Sequence, residues 1–180
     1  MNTEEIKSIP YNDFDQLPGN KLWLKSGGSY SLRHKYYIVT DNIHTYGRIY
    51  FAFDKALKTI LETNNNIIVA LGSTSGDFAI QTPEKKVIGY GEKKLFSTKV
   101  SLKLNNSFKA LLDSRFFSSD YFWTDEFGIQ LIKITYGAVI EFTFLKLANE
   151  TPNLNVLILA GFMSLHNEGS NEALFSEGLV

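Results

Sequence analysis

The sequence predicts a single α+β domain over residues 1–180, mostly antiparallel β-sheet, with one main amphipathic helix at about 44–63 on one face and one or two short helices. Three observations carry that prediction. Along 129–147 the even positions Ile132, Ile134, Tyr136, Ala138, Ile140, Phe142 and Phe144 are apolar, while the odd ones include Lys133, Thr135, Gly137, Glu141 and Thr143. A period of two with β-branched and aromatic residues marks strand with one buried face. Further upstream, Ile49, Phe53, Ala56, Leu57, Ile60 and Leu61 recur at helical spacing opposite Asp54, Lys55, Lys58 and Glu62, which reads as a buried helical stripe. Finally, 180 residues at 44% hydrophobic are enough for one proper core and exclude a disordered chain.

The remaining elements follow in order. Residues 1–20 read as an arm or a short helix packing by Ile6, Ile9, Tyr11 and Phe14. Strands at 21–24 and 30–40 are joined through Ser26, Gly27, Gly28 and Ser29, whose glycines suit a hairpin loop. Asp41 or Asn42 caps the main helix, and Asn64 to Asn66 end it. A strand at 67–71 opens into the loop 72–77 and returns at 78–81; strands at 87–90 and 95–104 come next. Asn106 or Ser107 caps a short helix through Phe108, Leu111 and Leu112. After an aromatic stretch, 129–147 forms one long bent strand or a pair turning near Tyr136 and Gly137. The unbroken apolar run 154–163 reads as a last, doubly buried strand.

Composition removes several function classes. Eighteen basic against nineteen acidic residues give a net charge of −1, so no whole-protein field selects nucleic acid or an anionic membrane. With no cysteine there is no disulfide, thiolate metal site or cysteine nucleophile. Early glutamates and the lack of an apolar run at the N-terminus argue against a signal peptide, and 156–163 is too short to span a bilayer, so a cytoplasmic protein is expected. His34, His44 and His166 are too scattered for a metal-ligand pattern, and no cofactor or metal is expected. The composition suits an AT-rich, bacterial source.

Three stretches are candidate sites. In the loop Gly72–Asp77, residues Ser73, Thr74, Ser75 and Asp77 can present hydroxyls and backbone N–H groups to a phosphate. It lacks the P-loop lysine, and Thr74 stands where a nucleophile elbow needs serine, so a plain hairpin loop is the competing reading. The segment 85–115 gathers Lys85, Lys86, Lys93, Lys94, Lys99, Lys103, Lys109 and Arg115, with Tyr90 and Phe96 interleaved. That mixture can track a nucleic-acid backbone, or simply be the solvent face of two strands. The stretch 116–127 sets Phe116, Phe117, Tyr121, Phe122, Trp123 and Phe127 among Asp120, Asp125 and Glu126, a composition suited either to a protein interface or to closing the core.

No catalytic constellation is present, and the chain reads as a non-enzyme. Its profile resembles that of small cytoplasmic binding proteins, including the immunity proteins that neutralise bacterial toxins by occluding them. The leading expectation is a non-catalytic protein-binding module, such as an immunity protein. Its partner-binding residues would be Asp120, Tyr121, Trp123, Asp125 and Glu126, with Glu168 and Glu172 of the acidic C-terminal segment. The alternatives are a small-ligand or nucleotide-binding protein or enzyme using Ser73, Thr74, Ser75 and Asp77, and nucleic-acid binding through 85–103. A dimer formed through an uncovered sheet edge is also compatible with the pattern.

Overall fold

The computed structural model describes residues 11–31, 34–52, 58–73, 76–93, 99–114 and 119–176. Twelve strands follow one another: β1 (Lys21–Ser31), β2 (His34–Thr40), β3 (Thr45–Ala52), β4 (Lys58–Thr63), β5 (Ile67–Gly72), β6 (Phe78–Gln81), β7 (Val87–Lys93), β8 (Val100–Leu104), β9 (Lys109–Ser114), β10 (Asp120–Asp125), β11 (Gln130–Thr135) and β12 (Ile140–Phe144). Each pairs antiparallel with its sequence neighbour, and β1 pairs with β12, so the sheet closes into a barrel with no free edge. One long helix, α1 (Leu154–Ser176), completes the fold.

A barrel of eight strands is just filled by its own inward side chains, and twelve leave a lumen. Here the first half of α1, as far as Leu165, occupies that lumen. From Val156 to Leu165 every residue is buried, nearly three helical turns with no exposed side, and these residues belong to the same core as Leu22, Ile49, Leu102, Ile132 and Phe142 of the wall. A helix that is apolar all round needs apolar surroundings on all sides. Directional contacts fix its position. Trp123 Nε1 donates to the Leu157 carbonyl at 3.0 Å, and Thr59 Oγ1 to Met163 Sδ at 2.7 Å. The Tyr37 and Phe162 rings meet edge-on with centroids 5.0 Å apart. Gly161 permits the closest approach: a Cβ there would lie 2.6 Å from Ile134 Cδ1 and 3.2 Å from Trp123 Nε1.

The α+β expectation is therefore corrected to a closed antiparallel barrel with an internal helix. The amphipathic helix expected at 44–63 is instead strands β3 and β4, with residues 53–57 outside the described part. The hairpin places Ile49 opposite Leu61 on the buried face and Arg48 opposite Glu62 outside, where Arg48 Nε meets Glu62 Oε2 at 3.0 Å. A period-two pattern in two short strands thus mimicked a helical stripe. Asp41 does cap, but it caps the β2–β3 turn: its Oδ1 accepts the N–H groups of Ile43 and His44. The short helix expected after Ser107 is β9, entered by a turn in which Asn106 Oδ1 accepts from the Phe108 N–H. The last strand expected at 154–163 is the buried part of α1. The glycines at 27 and 28 lie within β1, at a register irregularity against β2, and not in the loop after it.

The stretch 129–147 forms β11 and β12, turning through 136–139. Ile132 faces Phe144 and Ile134 faces Phe142 across the pair, all buried. Its outward face is occupied by mutual pairing: Lys133 with Asp120 at 2.8 Å, and Glu141 with Lys21 at 2.7 Å and with Trp23 Nε1 at 3.1 Å. The Lys21 hydrogen bond holds the Glu141 carboxyl below its usual range despite partial burial.

Candidate binding groove on the outer wall

With α1 inside, the concave surface lies on the outer wall. One concavity, about 880 Å³, runs along β7, β8 and β9 and ends at the β10–β11 turn. A second, of about 510 Å³, lies against the β5–β6 loop and adjoins the first along Tyr90, Glu92 and Ser101.

Strand alternation builds this groove. In β7, Gly89 and Gly91 point inward and are buried, while Tyr90 and Glu92 point out and are exposed. A Cβ on Gly91 would overlap the Phe78 ring, and one on Gly89 would overlap Leu104 Cδ2 and come within 2.8 Å of the Lys103 carbonyl oxygen. The missing side chains let Phe78 and Leu104 fill the core behind the groove. On the outer side Tyr90, 53% exposed, lies between Ala79 of β6 and Lys103 of β8 in register. Ser101 faces Leu111, and Lys103 faces Lys109, across β8 and β9.

Charges around the groove nearly balance. Lys109 Nζ is 3.3 Å from Glu126 Oε2, and Lys99 Nζ is 2.9 Å from Asp113 Oδ2. Lys103 has no ion-pair partner among the described residues.

The structure brings several sequence candidates together here: Ser73 and Asp77 line one end and Asp125 and Glu126 the other. Asp125 is committed to its turn, its Oδ1 accepting from the N–H groups of Phe127 and Ile129. The Ser73–Asp77 loop is a hairpin whose Ser73 and Gly76 N–H groups donate to Asp77 and Ser73 carbonyls, so those donors are spent within the loop. Asp77 Oδ1 also accepts the Lys93 N–H at 2.9 Å. Thr74 and Ser75 lie outside the described residues.

Other candidates stand elsewhere. Trp123 is fully buried and holds the helix, so it is core. Tyr121 is half-buried against the core, and Asp120 is paired with Lys133 and Thr135. Glu168 and Glu172 fall in α1 beyond Leu165, the last helix residue with described burial; Phe116 and Phe117 lie outside the described residues. Sequence reasoning missed Tyr90 and Leu111 as one exposed surface; the outward position of Tyr90 between two glycines was the available signal.

His44 lies at the β2–β3 turn, Nδ1 3.1 Å from Asp41 Oδ2, and Tyr46 donates to the same oxygen at 3.0 Å. Burial pushes the Asp41 carboxyl up, but its bonds from the His44 N–H and ring, the Ile43 N–H and Tyr46 outweigh that and hold it at about 2. Burial and the neighbouring Asp41 both push the Tyr46 phenol up. Thr40 Oγ1 donates to the His44 carbonyl at 2.6 Å and accepts from the Asn42 N–H, so the cluster works as a turn clamp. Among the described residues no group of three His, Cys, Asp or Glu could hold a metal. Comparison with known proteins finds no matching family, curated protein or solved structure.

Proposed function

We propose that this chain is a non-catalytic protein-binding module that works through the outer groove over β7–β9. The observation that carries the reading is that α1 fills the barrel, which leaves the outer wall as the recognition surface. That groove combines an exposed aromatic and aliphatic floor with rim charges of both signs, the composition of a protein interface. Acidic Glu92 and Glu126 at the same groove weigh against a polyanionic partner. The closed barrel weighs against dimerisation by strand addition, since all twelve strands already have two neighbours.

The wall is apolar inward and studded with Arg48, Glu62, Glu92, Lys103, Lys133 and Glu141 outward, the reverse of a lipid-facing barrel. That supports a protein working in water. Among the described residues no helix is long and apolar enough to cross a membrane. Occlusion of a toxin is one form of this function, with Glu126 at the rim as an acidic contact.

The test is a parallel capture from the native host with the wild-type chain and with Tyr90→Ala, followed by binding of the recovered protein in purified form. A partner held by the wild type and lost by the variant supports the reading. Equal capture by both removes the groove, and recovery of no partner removes the protein-binding function.

A further inference from the structure

We infer that the groove takes an extended acidic segment of the partner, with a carboxylate seated between Lys103 and Lys109 and apolar or aromatic side chains beside it lying on Tyr90 and on Leu111. The inference rests on the reading of this groove as the protein-binding surface and adds the chemistry of what it binds. Its starting point is an electrostatic conflict. Lys103 and Lys109 are directly opposite each other across β8 and β9, and like charges so placed destabilise a sheet. Both are exposed and both line the groove. Glu126 relieves only Lys109, through a solvated contact of 3.3 Å, while Lys103 has no ion-pair partner among the described residues. An incoming carboxylate would relieve the repulsion and gain charge-assisted hydrogen bonds from two ammonium groups.

The neighbouring surface sets the rest of the segment. Tyr90 is the register partner of Lys103, and Ala79 on its other side is too small to cover the ring. Leu111, 36% exposed, faces Ser101 one step further along. Apolar side chains next to the carboxylate therefore meet the Tyr90 ring on the β7 side and the Leu111 aliphatic surface on the β9 side. Beyond it Glu92 and Ser101 favour a neutral or basic residue, which gives the segment a direction. The seven residues of β7 are about 20 Å long, room for about six extended residues. With no free edge to pair with, such a segment is read by side chains and not by backbone ladder bonds. Nucleic acid also offers anion and aromatic, but a continuous phosphate chain would run over Glu92 and Glu126 as well as the lysines.

The experiment is fluorescence anisotropy with the full chain and a set of labelled hexapeptides carrying Asp or Glu beside Phe, Tyr or Leu. Their Asn or Gln counterparts and a single-stranded oligonucleotide serve as comparators. The expected result is binding of acidic–apolar peptides that weakens about tenfold in Lys103→Glu and in the amide counterparts. Tyr90→Ala weakens it about fivefold. Lys103→Glu should at the same time melt about 1 °C higher than wild type, because it turns the like-charge pair into an ion pair. Loss of binding through general unfolding would instead lower the melting point and overturn the inference. It is equally overturned if no acidic peptide binds below 1 mM, about the weakest useful affinity, if the amide peptides bind as well, or if the oligonucleotide binds more tightly and competes. If a host partner still depends on Tyr90 while Lys103→Glu and the peptides show nothing, the groove reading stands and the acidic-segment inference alone falls.

Discussion

Strand β7 separates two regions of the molecule within single-residue steps. Gly89 and Gly91 face a core so full that Phe78 and Leu104 occupy the space their side chains would need. Tyr90, between them, spends half its surface on solvent with no packing reason to be aromatic. The interior is under constraint at every position; the exterior is under little, and what is unusual there is therefore informative. An exposed ring beside a pair of lysines of which one is ion-paired contributes little to stability, whereas a glycine facing the helix-filled lumen contributes a great deal.

Substitutions on the two faces should diverge accordingly. Gly89→Val pushes a side chain into Leu104 and the Lys103 carbonyl, and overpacking of this kind is expected to cost about 3 kcal/mol, measured by urea unfolding. Trp123→Phe removes the donor to the Leu157 carbonyl and leaves a void against α1, with an expected loss of about 2 kcal/mol in the same assay. The Asp41 clamp gives a pH-dependent term. Its folded carboxyl titrates at about 2, below the ordinary unfolded value of about 4, so its contribution is complete above that value and disappears as pH falls through the folded one. With solvent screening this amounts to about 1–2 kcal/mol, and Asp41→Asn should lack that part of the acid sensitivity when unfolding is compared at neutral and low pH. The smallest effect is on the groove: Tyr90→Ala should change unfolding by less than about 0.5 kcal/mol, as an exposed position does. A large loss there would make Tyr90 structural and dissolve the contrast.

The same contrast explains what was legible in the sequence. Alternation along 129–147 identified the inward residues Ile132, Ile134, Ile140, Phe142 and Phe144, because one buried and one wet face leave a period of two in the residues themselves. The run 154–163 carried no such information, since a segment buried on all sides shows the same unbroken apolar string whether it is strand or helix. Its best distinguishing sign was composition: Leu154, Leu157, Leu159, Ala160 and Met163 are strong helix formers, and Pro152 stands just ahead of the helix start. The region 44–63 misled through coincidence of spacing between Ile49 and Leu61, which belong to opposite strands of a hairpin. Barrel closure was invisible, because pairing of β1 with β12 joins residues more than a hundred positions apart. Of the candidate site, the lysines, Glu126 and Asp77 were visible as residue types, but their convergence on one wall depends on the register of β5 to β10.

The claim that the lumen is permanently filled, so that recognition happens outside, is tested most directly by thiol labelling, which the cysteine-free chain makes clean. Ser164→Cys places a near-isosteric thiol on the buried part of α1, and Tyr90→Cys places one on the groove. The buried thiol is expected to react about a thousandfold or more slower than the groove thiol, at the rate at which the barrel unfolds. Comparable rates for the two would mean that the helix leaves the lumen in the native protein, and that the interior is itself open to a ligand.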